Sequence, residues 1–314
     1  MAKDFNCAPA TSLGIMQGVF LPRLRDPVRD IAGRRFDFDR QVAVMAVVNR
    51  TPDSFYDQGA TYALDKAVAA VSQAVSEGAD WVDIGGVKFS PNDGEVPADV
   101  EAERVLPVIE AAAGQHPNIA ISVDTFRADV AEAALDAGAH IVNDTTGLHD
   151  PALADLVAAR PHTQLIITHS LAKPRTHFPQ PQYGDIAGEI ASFLRDRVEV
   201  ALSHGVRPEQ IIIDPGHDLN KNTFHTLELT RRLHEIAELG YPTLAAVSNK
   251  DFVGETLDRA PGERLSGSLA AAVFSVLQGA RIVRMHNVRE SVDAVRMTEA
   301  ILGWRPPAYT LHNM

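Results

Sequence analysis

The chain has 314 residues, 45% of them hydrophobic and 22% charged, a composition that excludes an intrinsically disordered polypeptide and allows a large core without disulfides or a structural metal. A net charge of −12, from 29 basic and 41 acidic residues, disfavours general nucleic-acid binding because it repels phosphate backbones. The single cysteine, Cys7, cannot close an intramolecular disulfide, and no apolar run approaches the length of a membrane span, so neither membrane nor nucleic acid is an expected partner and the expected location is the cytoplasm.

Residues 1–35 show no sustained period and carry scattered proline and glycine; they are set apart as an N-terminal extension of uncertain order, leaving 36–314 as the main domain. From residue 42, short β-branched apolar runs alternate with Ala-rich amphipathic stretches. The predicted strands are Val42–Val48, Trp81–Ile84, Ile119–Asp124, His140–Asp144, Gln164–His169, Gln210–Asp214, Thr243–Ser248 and Arg281–Met285. Helices are predicted near 64–77, 100–113, 128–137, 151–159, 185–204, 224–239, 266–278 and 289–302, several ending in a glycine suited to a left-handed cap: Gly78, Gly138, Gly205, Gly240 and Gly279. Eight strands alternating with eight helices predict an α/β fold of the (β/α)8 TIM-barrel type. An open doubly wound sheet is the rival, but it more often has a glycine-rich turn after its first strand, where this chain has Asn49–Phe55 (N-R-T-P-D-S-F).

Barrel chemistry gathers at the C-terminal ends of the strands. Those ends carry Asn49; Asp83, Gly85 and Gly86; Asp124 and Thr125; Asn143 and Asp144; His169 and Ser170; Asp214, Pro215 and Gly216; Ser248, Asn249 and Lys250; and Arg284, His286 and Asn287. Any one strand-end Asp or Asn can simply cap the next helix, but a complete polar ring on an apolar barrel reads as a ligand pocket. Asp124, Asn143, Asp214 and Lys250 offer the donors and acceptors that suit a flat nitrogen heterocycle. Arg284 and His286, with Asn49 nearby, suit an anionic group or its bound Mg²⁺, and His286 could equally orient a neighbouring group.

On these residues the chain resembles the dihydropteroate synthase family: N-R-T-P-D-S-F at Asn49–Phe55, D-I-G-G at Asp83–Gly86, S-V-D-T at Ser122–Thr125, N-D at Asn143–Asp144, His169, D-P-G at Asp214–Gly216, Ser248 with Lys250, and Arg284 with His286. The resemblance implies a pterin-binding barrel, a homodimer through the helices around the last two strands, and condensation of a dihydropterin methyl pyrophosphate with p-aminobenzoate. It implies that Asp124, Asn143, Asp214 and Lys250 hold the pterin, that Asn49, Arg284 and His286 hold pyrophosphate with Asn49 on Mg²⁺, and that Asp124, Lys250, Arg284 and His286 are the catalytic set. Thr51, Pro52 and Asp53 of the first loop and Lys88, Phe89 and Ser90 of the second would build the p-aminobenzoate site.

The second loop departs from the family pattern: D-I-G-G-E-S-T-R-P-G becomes D-I-G-G followed by Val87, Lys88, Phe89, Ser90, Pro91 and Asn92. Lys88 restores a charge elsewhere, but a point charge does not replace an arginine fork. After D-P-G, F-G-F-G-K becomes His217, Asp218, Leu219, Asn220 and Lys221; S-R-K becomes Ser248-Asn249-Lys250. Pterin-facing residues are kept and the second-substrate surface is not. The expected protein is a divergent paralogue, a possible pseudoenzyme with weak or no synthase activity that retains a pterin pocket and affinity for sulfonamide or sulfone analogues. The alternatives are a fully active dihydropteroate synthase and, more distantly, a folate-binding methyltransferase barrel.

Overall fold

The computed structural model describes residues 19–49, 59–87, 95–171 and 180–312. An antiparallel hairpin comes first, β1 (Val28–Ile31) and β2 (Arg34–Asp37), paired from Val28↔Asp37 to Ile31↔Arg34. Its turn residues, Ala32 and Gly33, have φ of 53° and 69°, the left-handed pair that matches the twist of the flanking strands. Alternation turns Ile31 and Phe36 to one face, where the Phe36 and Phe38 rings meet the Trp81 indole edge-on at 5.7 and 6.1 Å. The buried Arg29 guanidinium fastens the hairpin, donating to Gln164 Oε1 at 2.8 Å and the Ile211 carbonyl at 2.9 Å. The hairpin plugs the N-terminal mouth of the barrel and runs across the 35/36 boundary drawn from the sequence. Two strands of four residues each are too short to show a period in the sequence.

Eight parallel strands follow: β3 (Ala43–Asn49), β4 (Trp81–Gly85), β5 (Ala120–Asp124), β6 (Ile141–Asp144), β7 (Gln164–Thr168), β8 (Ile211–Asp214), β9 (Thr243–Ala245) and β10 (Ala280–Met285). They close into a barrel in chain order, β10 pairing back onto β3 from Ile282↔Ala43 to Met285↔Ala46. This is the expected (β/α)8 barrel. Its helices are α1 (Gly59–Ser76), α2 (Ala98–Gln115), α3 (Ala128–Asp136), α4 (Ala152–Ala158), α5 (Ile186–Ser203), α6 (Thr223–Arg231), α7 (Leu233–Ala237), α8 (Asp251–Leu257), α9 (Leu265–Leu277) and α10 (Val288–Ile301). All five glycines expected as caps have positive φ, between 83° and 112°.

Two helical features differ from the sequence expectation. The helix predicted over 224–239 breaks at Arg232, whose amide is shared between the Glu228 and Leu229 carbonyls as the first helix tightens at its end. The short α8, between β9 and α9, was not expected, because seven residues carry too few turns to show a period.

The site's position follows from strand parity. Met45, Trp81, Ala120, Ile141, Ile166, Ile212, Leu244 and Ile282 pack inside the barrel with the hairpin, while Val44, Val82, Ile121, Val142, Ile167, Ile213 and Val283 pack outward under the helices. Two residues further along, the inward positions become Val47, Asp83, Ser122, Asn143, Thr168, Asp214 and Arg284. The barrel interior therefore turns from apolar to polar within one strand repeat, towards its C-terminal end.

Candidate functional site

Asp83 is the centre of this polar layer. Its side chain is fully buried and accepts from Ser122 Oγ at 2.6 Å, Asn143 Nδ2 at 3.1 Å and Arg284 Nε at 2.7 Å. Arg284 reaches on to Asp124 Oδ2 at 3.4 Å, so one guanidinium links two carboxylates. Burial opposes the Arg284 charge, but Asp83 and Asp124 outweigh it and raise its pKa. Burial, then the Asp83 charge, push Asp124 well above the usual carboxylate range, with Arg284 pulling the other way. Asn143 Nδ2 gives one of its two N–H groups to Asp83, and Oδ1, which has no partner among the described residues, is left to accept from a ligand.

The loop after β8 is shaped by Asp214, whose Oδ1 accepts from the Gly216 amide at 2.7 Å. Gly216 has φ 69°, and a Cβ there would collide with the His169 carbonyl, which explains the glycine of D-P-G. Burial raises the Asp214 pKa to about 6. Beneath this loop Lys221 Nζ donates to the Gly216 and Leu219 carbonyls at 2.8 and 3.0 Å and lies 3.0 Å from His169 Nδ1; burial lowers it to about 7. Lys250 sits at the start of α8, where burial pushes its ammonium down while Asp218, Asp214 and Asp124 hold it up.

Asn49 and His286 stand at the exposed mouth. Gly85 lies beside Asn49: a Cβ there would meet both Asn49 Oδ1 and Asp124 Cβ at 3.5 Å, an ordinary contact. Ser248 Oγ accepts from the His286 amide at 3.1 Å and lies 3.0 Å from Nδ1 of the same residue. The hydroxyl can then donate to Nδ1, which puts the ring proton on Nε2, facing out. Burial, then Arg284 and Lys250, lower the His286 pKa to about 4, so the imidazole is neutral at pH 7 and acts as a hydrogen-bond donor rather than a cation.

The structure thus brings Asn49, Asp124, Asn143, Asp214, Lys250, Arg284 and His286 to one end of the barrel. Thr51, Pro52, Asp53, Lys88, Phe89 and Ser90 lie outside the described residues. Asp144, of the N-D pair, does the work of a turn cap: it accepts from the Thr146 amide and hydroxyl and the Leu148 amide. Asp83 is in the strand-end ring but carries no predicted role; Ser122, Thr168 and Lys221 are not singled out by sequence reasoning as site residues. For Asp83, Ser122 and Thr168 the parity of each strand, counted from its buried apolar residue, is the signal that finds them.

The model of the family described as "Pterin binding enzyme" matches residues 45–286. The dihydropteroate synthase of Escherichia coli K12 is 37% identical over 259 residues, covering 82% of this chain and 91% of that one. The chain belongs to the dihydropteroate synthase family. A Mycobacterium leprae protein named "Inactive dihydropteroate synthase 2" is 42% identical over 289 residues, 90% of this chain and 98% of its own. The structure of Xanthomonas albilineans dihydropteroate synthase with 4-aminobenzoic acid superposes with a TM-score of 0.82 at 37% identity, covering 88% of this chain and 98% of that one.

Against the family's F-G-F-G-K, the loop after D-P-G carries two non-glycine residues in left-handed conformation, Asp218 (φ 62°) and Asn220 (φ 52°), both in place of glycines. His217 stands where the family has phenylalanine. It is fully buried, neither ring nitrogen has a hydrogen-bond partner among the described residues, and burial pushes its pKa down to about 3. A buried polar group left unpaired costs about 1–3 kcal/mol. His217→Phe is therefore expected to stabilise the protein by a similar amount, read as an upward shift of the urea midpoint with an unchanged slope.

Proposed function

We propose that this chain is a pterin-binding member of the dihydropteroate synthase family that condenses dihydropterin pyrophosphate with p-aminobenzoate weakly or not at all. The observation that carries the reading is the contrast between an intact pocket floor and an altered second loop. Asp83, Asp124, Asn143, Asp214, Lys250 and Arg284 form one buried polar layer, whereas Val87, Lys88, Phe89 and Ser90 stand in place of the family's E-S-T-R. The curated name of the mycobacterial relative, which spans nearly the same length, supports the same reading.

The chemistry follows from the charges. Asn143 Oδ1 and the Asp214 carboxylate accept from ring N–H groups, and Lys250 donates to a ring acceptor. Departure of pyrophosphate leaves positive charge on the pterin methylene, and such a reaction needs preorganised donors on the leaving group. Arg284 is already paired with two carboxylates, so the leaving group draws on donors from the loops, where the family's arginine is missing. Mg²⁺ belongs to the proposal. Asn49, at the mouth, would offer the ion an amide oxygen, and the ion would offset negative charge on the leaving pyrophosphate. Among the described residues no group of three or more His, Cys, Asp or Glu could hold a metal by itself, which suits an ion that arrives with the substrate.

A homodimer is proposed through α9 and α10, where Phe274, Met297 and Ile301 are exposed. A cytoplasmic location is proposed from the single cysteine, which suits a reducing compartment; no described helix is long and apolar enough to cross a membrane. Sulfonamides and sulfones are proposed as weak ligands of whatever remains of the second-substrate site.

The test follows dihydropteroate formation and pyrophosphate release with Mg²⁺, dihydropterin pyrophosphate and p-aminobenzoate, alongside calorimetric titration with 6-hydroxymethyl-7,8-dihydropterin. Pterin binding without product is expected. Turnover of about one per second, within the ordinary enzyme range, would overturn the reading and make the chain an active synthase.

A further inference from the structure

At the C-terminal end of the barrel, two inward-facing side chains on adjacent strands each have a buried oxygen with no hydrogen-bond partner among the described residues: Asn143 Oδ1 on β6 and Thr168 Oγ1 on β7. Thr168 is the last residue of its strand and pairs in register with Asp214 of β8. Ile166 belongs to the inner cluster, while Leu165 and Ile167 belong to the outer one, so alternation directs Thr168 inward, on the strand between those of Asn143 and Asp214 and one inward position beyond the Ile166 that pairs with Asn143. Its methyl group lies on the Gly216 side, with Cγ2 3.4 Å from the place a Gly216 Cβ would take.

The three groups differ in what they can do. Asn143 has an unpartnered acceptor in Oδ1, while one of the two N–H groups of Nδ2 is held by Asp83. Asp214 accepts as a carboxylate. Thr168 is a neutral donor on the strand between these two acceptors, and its hydroxyl has no partner among the described residues. Buried hydroxyls are normally paired, and an unpaired one beside a ligand pocket calls for a partner on the ligand.

We propose that Thr168 is a ligand-binding residue of this pocket, donating its hydroxyl proton to a ring acceptor that lies between two ring N–H groups taken by Asn143 and Asp214. The row then reads an edge of the pattern donor, acceptor, donor. A 2-amino-4-oxo-7,8-dihydropteridine has this edge in its 2-amino group, N1 and N8–H; the fully oxidised pterin does not, because its N8 carries no proton. The inference rests on the pterin-binding reading above and extends it to preference for the dihydro oxidation state.

The experiment is calorimetric titration of the full chain and its Thr168→Val, Thr168→Ala and Thr168→Ser variants with 6-hydroxymethyl-7,8-dihydropterin and with oxidised 6-hydroxymethylpterin. Leaving the ligand acceptor unpaired in a buried site costs on the order of tenfold in affinity. The expected result is roughly that loss for Val and Ala with the dihydropterin, and near wild-type binding for Ser, which keeps the hydroxyl. The wild type should also prefer the dihydropterin. In the ligand-free protein Thr168→Val should melt no lower than wild type, since it removes a hydroxyl that has no partner. Wild-type affinity in both Val and Ala, with dihydropterin still bound, would overturn the role of Thr168 and leave the pterin pocket standing. If the wild type binds neither pterin, the pocket reading fails and this inference with it.

Discussion

Arg284→Met is expected to lower the stability of the protein by about 3 kcal/mol at pH 7, the lower end of the loss seen when one partner of a buried ion pair is removed. The lower end applies because Asp83, fully buried, keeps the Ser122 and Asn143 donors at 2.6 and 3.1 Å once the guanidinium is gone. The loss has a pH signature. Asp124 is already pushed up by burial and the Asp83 charge and held down by Arg284; without the arginine it rises further. A carboxyl whose folded pKa exceeds its unfolded value binds protons more tightly when folded, so stability increases as pH falls through the folded pKa. The deficit of Arg284→Met should therefore shrink as pH falls from ~9 to ~7, before the wild-type Asp124 takes up its own proton at about 7, and change little below that. Urea unfolding across that range tests this, and a pH-independent deficit would mean that packing rather than charge sets the loss. Asp83→Asn in the Arg284→Met background should recover part of it, because it removes the unpaired charge.

The second large effect concerns activity. The quadruple substitution Val87→Glu, Lys88→Ser, Phe89→Thr, Ser90→Arg rebuilds the family's loop sequence after D-I-G-G and is expected to raise dihydropteroate formation by about a hundredfold or more, the scale associated with one preorganised donor. The physical basis is the guanidinium fork, which can clasp a phosphate or carboxylate through two parallel hydrogen bonds where the Lys88 ammonium offers a point charge. Pterin affinity should stay near the wild-type value, because Asp83, Asn143, Asp214 and Lys250 are untouched. Steady-state product and pyrophosphate assays measure the first effect, and calorimetry the second. No gain in product would move the defect to residues 217–220, where His217 is buried without partners among the described residues and Asn220 stands left-handed in place of a glycine.

Much of this was legible in the sequence, and for a definite reason. Strand and helix periods are local properties, so eight alternations of short β-branched runs with Ala-rich stretches announce the barrel, and in a barrel the strand ends announce the pocket. Asn49, Asp124, Asn143, Asp214, Lys250, Arg284 and His286 could all be named from their positions after apolar runs. The hairpin β1–β2 could not, because four-residue strands with a buried arginine carry no period.

Tertiary structure decided how those polar groups are shared. Asn143 and Asp144 are neighbours in the chain, yet one faces the barrel interior and holds Asp83, while the other ties down its own loop. Asp83 becomes the centre of the site through Arg284, 201 residues away in the chain and close in space only because β10 closes onto β3 and brings it beside β4. The sequence by itself determined the barrel and the ring of strand-end residues, since both follow from periods of two and 3.6. Ring closure alone decided which carboxylate is paired, which histidine is neutral and which hydroxyl is left to a ligand, because hydrogen-bond partners and desolvation depend on distances that no local pattern records.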